Sequence, residues 1–387
     1  MIPFRFIQIV SLISLIIFMT SCDNHEQSVD QEPMVSTNLN YNPVLPSYFL
    51  TNDGGPLPTR ITDHDNTPVS NPVTNAGAAL GRVLFYDKNL SRNRTVACGN
   101  CHKAENGFSD SRVLSKGFEH GNTRRHSMSL IFARYYNRGR FFWDERAATL
   151  EEQVLKPIQD ETEMGLTAAE ISSRVQAETY YEVLFKQAFG DSEVSNERIA
   201  NALAQFVRSM VSFNSKYDVG RAQVTSMGAD FPNFTAQENL GKQLFIRSVT
   251  NGGGGCFGCH TTEAFINPAP GATNNGLDAL STSDLGVYEA IPNNKFLGAF
   301  KVPSLRNIAD RATFMHDGRF STLTEVVEHY NSGVKNHPNL APALRSGNGT
   351  PIRLNFSSDQ IQAIVAFLKT LSDESIATDE RWSDPFK

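Results

Sequence analysis

Two pentapeptides, Cys98-Gly99-Asn100-Cys101-His102 and Cys256-Phe257-Gly258-Cys259-His260, constrain this chain more than any other feature. Cys-x-x-Cys-His is the attachment signal of c-type haem. Its two thiols bond the two vinyl groups of one porphyrin, and the adjacent histidine reaches the iron as proximal ligand. The copies lie 158 residues apart in a chain of 387 residues with only five cysteines. A pair of zinc or redox CxxC sites is the competing reading. Zinc needs further Cys or His ligands at finger-like spacing, and a thioredoxin-type motif needs a βαβ setting. The expected cofactors are therefore two covalently bound haem c groups, attached through Cys98, Cys101, Cys256 and Cys259, with His102 and His260 on the irons.

The fifth cysteine, Cys22, closes a short apolar N-terminus. Arg5 supplies a minimal positive region, Phe6 to Met19 an apolar stretch, and Thr20-Ser21-Cys22 a lipoprotein-type processing site. The apolar run is shorter than the ~20 residues a membrane span needs, so 1–21 reads as a signal peptide of lipoprotein type. A plain signal peptide cut nearby is the alternative. Either implies export to the periplasm, the first with tethering to a membrane through lipidated Cys22. Loss of 1–21, whose only charged residue is Arg5, leaves 366 residues and moves the net charge from −6 to −7. That length suffices for two domains with their own cores. The acidic balance counts against nucleic acid as a partner. From Cys22 to about Asn75 the chain is rich in Asn, Asp, Ser, Thr and Pro and reads as a flexible tether (22–75), with Asn42 to Phe49 able to pack back on the globule.

An internal repeat organises the remainder. Gly81-Arg82-Val83-Leu84-Phe85 begins 17 residues before Cys98, and Gly241-Lys242-Gln243-Leu244-Phe245 begins 15 before Cys256. Each copy reads as a short helix, a loop and the haem motif. The duplication predicts an all-α fold of two cytochrome-c-like haem domains packed against each other and joined by loops, over 76–220 and 221–387. Capping boxes are expected at Thr167 to Glu170, Thr235 to Glu238, Thr322 to Glu325 and Ser357 to Gln360. Ile199, Leu203, Phe206, Val207 and Met210 recur at helical spacing, as do Ile361, Ile364, Val365 and Leu368, and read as core. Gly252 to Gly255 and Asn267 to Leu297 read as loops. No stretch shows sustained β-alternation.

At this point the chain resembles the bacterial di-haem cytochrome c peroxidases, including their MauG-like branch, from about Leu80 to Leu371. Besides the haem motifs, the resemblance rests on Leu80 to Asp87, Gly107-Phe108-Ser109-Asp110, Phe142-Trp143-Asp144-Glu145-Arg146 and Glu163-Met164-Gly165. It continues through Lys301-Val302-Pro303-Ser304-Leu305-Arg306-Asn307 and His316-Asp317-Gly318 into Thr322-Leu323. It implies that the haem on His102 is the peroxidatic one, with Gln153 and Glu163 over its distal face and Pro157 between them. Heterolysis of a peroxide needs a proton moved from one oxygen to the other, and a carboxylate can act as base and then acid. A neutral amide can hold peroxide or water without competing for that proton. Without the resemblance, Glu163 reads as a surface charge and Gln153 as a solvated helix face. Trp143 falls where the family has an indole between the haems, which can carry an electron. It also suits an aromatic core beside Phe141 and Phe142.

For the second haem, the resemblance implies a sixth ligand fourteen residues after His316, at Tyr330. Members outside the MauG-like branch have methionine there. A thioether favours ferrous iron and raises the potential, whereas an oxygen ligand favours higher oxidation states. Otherwise Tyr330 reads as a half-buried aromatic, and Met315 and His329 are the nearest rival ligands. Around the first haem, other members carry a loop histidine that ligates resting iron. Its position falls on Phe118, and His120 is two residues away. We expect no ligand there and an open iron. His126 stands where the family has an asparagine for an interdomain calcium. Imidazole is a poor ligand for that hard ion, which leaves calcium possible but doubtful. His126, Arg124 and Arg125 are alternative contacts for a haem propionate.

The implied activity is reduction of hydrogen peroxide to water, with electrons from a small cytochrome or copper protein passed through the C-terminal haem to the N-terminal one. Two alternatives remain open. One is a MauG-like enzyme that uses peroxide to oxidise side chains of a partner protein, which Tyr330 favours. The other is a non-enzymatic di-haem electron carrier, against which Gln153 and Glu163 stand.

Overall fold

The computed structural model describes residues 1, 32–36, 38–52, 60–136, 138–266 and 271–387. Met1–Glu32 forms one unit, of which only Met1 and Glu32 are described, and Pro33–Lys387 forms a second, compact one. Cys22 and the segment read as a signal peptide beyond Met1 fall outside the described residues. Those that are described are helical, with isolated bridges and no strand among them. This agrees with the all-α expectation. No described helix is long and apolar enough to cross a membrane.

The repeat appears as two matched helix crossings. The first copy lies in the Asn75–Tyr86 helix, which packs on Asn196–Ser209. The second lies in Ala236–Ile246, which packs on Ser358–Lys369. Both crossings turn on the repeat glycine. A Cβ on Gly81 would meet the Ala202 carbonyl oxygen at 2.0 Å, and one on Gly241 would meet that of Ala363 at 1.8 Å. The glycine of the G-[RK]-x-L-F motif is thus set by backbone approach between helices. All four expected capping boxes form, at Thr167, Thr235, Thr322 and Ser357. The sequence reading missed a fifth, Ser215 with Asp218.

Two apolar cores result. One gathers side chains from Tyr41 to Val211, joined by Ala264, Ile266, Ile376 and Trp382. The other runs from Tyr217 to Leu371. The stretch read as a tether contributes Tyr41, Tyr48, Phe49, Ile61 and Val73 to the first core. Its aromatic and branched side chains outweigh its polar composition, because each removes substantial apolar area from water. The C-terminal tail also returns to this core: Arg82 Nε donates to Ser383 O at 2.7 Å and Tyr86 Oη to Trp382 O at 2.6 Å.

Between the cores sits a buried ionic network. Arg306 is 1% exposed, and its Nη1 reaches both Asp218 carboxylate oxygens at 2.8 and 2.9 Å. Its Nε donates to the Glu263 carbonyl at 2.8 Å. Glu263 in turn accepts from Arg221 at 2.8 Å and from Tyr217 at 2.7 Å, and Tyr48 donates to Asp218 at 2.9 Å. The rings of Phe49, Phe132, Tyr217 and Phe265 surround the Arg306 guanidinium at 5.0 to 5.7 Å. Removing one member of such a pair strands a charge in apolar surroundings. Asp218→Asn is therefore expected to lower stability by about 3–5 kcal/mol, read as a fall in the urea midpoint.

Candidate functional site

Each haem motif opens onto its own cavity. The first, of about 520 Å³, is lined by Cys98, Cys101 and His102 on one side and by Gln153, Pro157 and Glu163 on another. The size falls within the usual range for cofactor pockets. His102 Nδ1 lies 3.0 Å from the Phe108 carbonyl oxygen, which fixes the tautomer and leaves Nε2 for a metal. In the second cavity, of about 190 Å³, His260 Nδ1 lies 3.2 Å from the Phe265 carbonyl. Burial lowers the pKa of both imidazoles, that of His260 to about 4, and keeps each ring in the neutral, metal-binding form. The four cysteines form no disulfide. Among the described residues no three Cys, His, Asp or Glu side chains gather as a zinc site would need. The paired thiols and the oriented histidine suit c-type haem in both cavities, and the walls are largely apolar; the second cavity, at about 190 Å³, is smaller than the usual cofactor range.

The sequence places the distal groups of the first cavity by helix geometry. Thr149 caps the Leu150–Gln159 helix, whose 3.6-residue period stacks Gln153 and Pro157 one turn apart on the cavity side. Pro157 supplies no N–H for the Gln153 carbonyl. The helix ends at Asp160, whose carboxylate accepts from the backbone N–H of Thr162 at 2.8 Å and of Glu163 at 3.1 Å. That turn presents the half-buried Glu163 carboxyl to the cavity. Burial, and then the neighbouring Asp160 charge, raise its pKa to about 7, with Arg146 acting in the opposite direction. Phe118 is buried behind this turn. Its N–H donates to the Glu163 carbonyl at 3.0 Å, and its ring fills the space beside Gly165, where φ is +76°. His120 is exposed and does not line the cavity. Leu203 and Val207, expected as core, also form part of the wall.

The second cavity is lined by different chemistry. Tyr330 and Met315 both line it, while His329 does not. His329 Nε2 is committed to the Asn275 carbonyl at 3.1 Å. Tyr330 lies in a wide turn, His329–Gly333, that continues the Leu323–Glu328 helix with π-type bonding, a form frequent at functional sites. Burial pushes its phenol up to about 12, with a hydrogen bond from Asn275 pulling the other way. Ile364 and Leu368 complete the apolar wall.

His126, Trp143, Lys301 and Pro303 line both cavities. Trp143 Nε1 donates to the His126 carbonyl at 2.8 Å, and the Trp143 carbonyl accepts from Lys301 N at 2.8 Å. The indole is thereby held in the partition, 6.4 Å from the His316 ring, which stacks on Phe300 at 3.7 Å. The His126 ring is occupied by Ser109 and by the carbonyls of Arg112 and Val113 at 3.0 to 3.1 Å. Arg124 pairs with Glu289, and Arg125 with Asp144, Asp284 and Glu289, though both arginines line the first cavity. Sequence reasoning did not single out Asn275, which stands in a polar loop without a local signal, or Lys301 as a wall residue.

Residues 75–223 match the family model described as di-haem cytochrome c peroxidase. The chain is 31% identical over 309 residues to the methylamine utilization protein MauG of Methylophilus methylotrophus, covering 79% of this chain and 84% of that one. It is 32% identical to the cytochrome c551 peroxidase of Nitrosomonas europaea, covering 77% and 80%. A crystal structure of a MauG-like protein associated with microbial copper homeostasis superposes with a TM-score of 0.72 at 31% identity, covering 90% of this chain and all of the other.

The pKa of Glu163 carries a stability consequence. Between the ordinary carboxylate value, ~4.3, and about 7 the folded protein holds a proton that the unfolded chain has lost. Stability therefore falls as pH rises through this window. Glu163→Gln removes the ionisation, so the variant is expected to gain thermal stability relative to wild type between pH 5 and pH 8, measured on the haem-loaded protein.

Proposed function

Because this chain belongs to the di-haem cytochrome c peroxidase family, we propose that it reduces hydrogen peroxide to water in the first cavity, using electrons that an external redox protein delivers at the second. Cys98, Cys101 and His102 would hold one haem c, and Cys256, Cys259 and His260 the other. When bound, these groups supply the redox equivalents and the site at which peroxide is polarised. The residues of the chain do the rest. Glu163 takes the proton from one peroxide oxygen and returns it to the departing one. Gln153 orients the peroxide by its amide, without a proton of its own to trade. Trp143, shared by the two walls, carries charge between the cavities. Tyr330, in the wall of the second cavity, would be the sixth ligand there, among largely apolar side chains.

The observation that carries this reading is the Glu163 carboxyl, which shares a cavity with His102 and has a pKa of about 7. A group poised there can accept and donate a proton near neutrality. The exposed His120 supports a first cavity left open for substrate. Calcium is doubtful in our reading, since the His126 ring nitrogens are already occupied within the protein. We place the enzyme in the periplasm, tethered through lipidated Cys22.

A second reading is favoured by Tyr330 and by the likeness to the methylamine utilization protein: oxidation of side chains on a partner protein, with peroxide as oxidant. An oxygen ligand suits that chemistry because it favours higher oxidation states. Glu163→Gln is expected to reduce peroxide turnover by about 10²–10⁴-fold at unchanged haem content. In wild type the rate at limiting peroxide should rise with pH through about 7 as the base deprotonates, a limb absent from the variant. Tyr330→Met should raise the potential of the second haem in redox titration. If it also leaves turnover with a small cytochrome or copper protein intact, the first reading gains over the second.

A further inference from the structure

One amide in the second cavity meets both rival ligands. Asn275 Nδ2 lies 3.4 Å from Tyr330 Oη and 3.6 Å from Met315 Sδ. Its two N–H bonds allow it to serve both acceptors at once. The backbone around it is fixed independently of the side chain. The Asn275 carbonyl accepts from His329 Nε2 at 3.1 Å, the Asn274 carbonyl from Ala341 N at 2.9 Å, and the Gly276 carbonyl from Lys335 N at 2.7 Å. Met315 is held in the left-handed region, at φ +75°, which aims its side chain from a constrained backbone. A non-glycine residue in that conformation persists only where its surroundings over-determine it.

We propose that Asn275 is a positioning residue that selects the oxygen of Tyr330 over the sulfur of Met315 as the sixth ligand in the second cavity. The proposal rests on the reading of Tyr330 as a ligand. A metal-bound phenolate keeps a lone pair that accepts a hydrogen bond, and a donor in a low-dielectric cavity stabilises that anion. The same amide engages the thioether lone pairs and keeps the sulfur turned toward itself. Without the amide, the phenolate loses its donor and the sulfur is released, so the competition moves toward methionine. His329 does not enter it, because its ring stays on the Asn275 carbonyl, which any side-chain substitution leaves in place.

The test is made on the haem-loaded, full-length protein with Asn275→Leu and Asn275→Asp, both close to asparagine in shape and neither an N–H donor. Expected for both is a sulfur-to-ferric-iron absorption in the far red and an upward shift in the potential of the second haem, because methionine ligation raises it. Both changes should vanish in the Asn275→Leu/Met315→Leu double variant. If they persist there, or if the single variants keep the wild-type spectrum and potential while Tyr330→Phe alters the spectrum, the selector role is overturned and the ligand reading stands. If Tyr330→Phe leaves the spectrum of the second haem unchanged, the ligand reading falls and the selector role with it.

Discussion

A guanidinium carried into the seam between two apolar cores must be met by a carboxylate, and the arrangement of both cavities depends on how Arg306 meets Asp218. Arg306 belongs to the segment Lys301 to Asn307, which also supplies Lys301 and Pro303 to the partition between the cavities. The same segment is tied to Trp143 by the backbone bond from Lys301. Fixing Arg306 therefore fixes the wall, and through it the indole. Glu263, three residues after His260, joins the network with Tyr217 and Arg221. The second haem motif is thereby anchored to the same point. A buried ionic network offers little net stability over an apolar core. What it provides here is a single register between the two halves.

The two halves repeat one construction and then diverge. Gly81 and Gly241 permit the same helix crossing, and Phe108 and Phe265 offer the same carbonyl to the histidine ring. The difference lies in what stands opposite. In the first half a turn at Asp160 presents a carboxyl that burial has brought near neutrality, and the loop that could have delivered a ligand is instead locked behind it through Phe118. In the second half a π-type turn brings Tyr330 into the cavity, with Met315 beside it and Asn275 touching both. In the proposed reading, the first cavity admits a substrate and moves its proton, and the second keeps a ligand in place.

Much of this was legible in the sequence where the physics is local. Covalent haem attachment imposes a five-residue motif, and a capping box needs only a Ser or Thr and an acceptor three residues on, so both can be read directly. The repeat glycine was visible, but its reason was not, because Ala202 and Ala363 approach from distant segments. Gln153 and Glu163 have no local signature at all. Their ten-residue spacing acquires meaning only from resemblance, and the structure adds that Thr149 and Asp160 turn them toward one cavity. The contacts of Tyr48 with Asp218 and of Asn275 with Tyr330 span 170 and 55 residues, and nothing near either residue announces them. Composition misled between Tyr41 and Val73, where a few aromatic and aliphatic side chains anchor a stretch that is polar on average.

Inequality of the two cavities is the central claim, and spectroscopy of the resting protein with stoichiometric peroxide tests it most directly. The account predicts one high-spin haem with an open face and one low-spin haem, with a single equivalent of peroxide consumed to give a state oxidised by two equivalents. Two low-spin, six-coordinate haems that stay inert to peroxide, even after partial reduction, would contradict it.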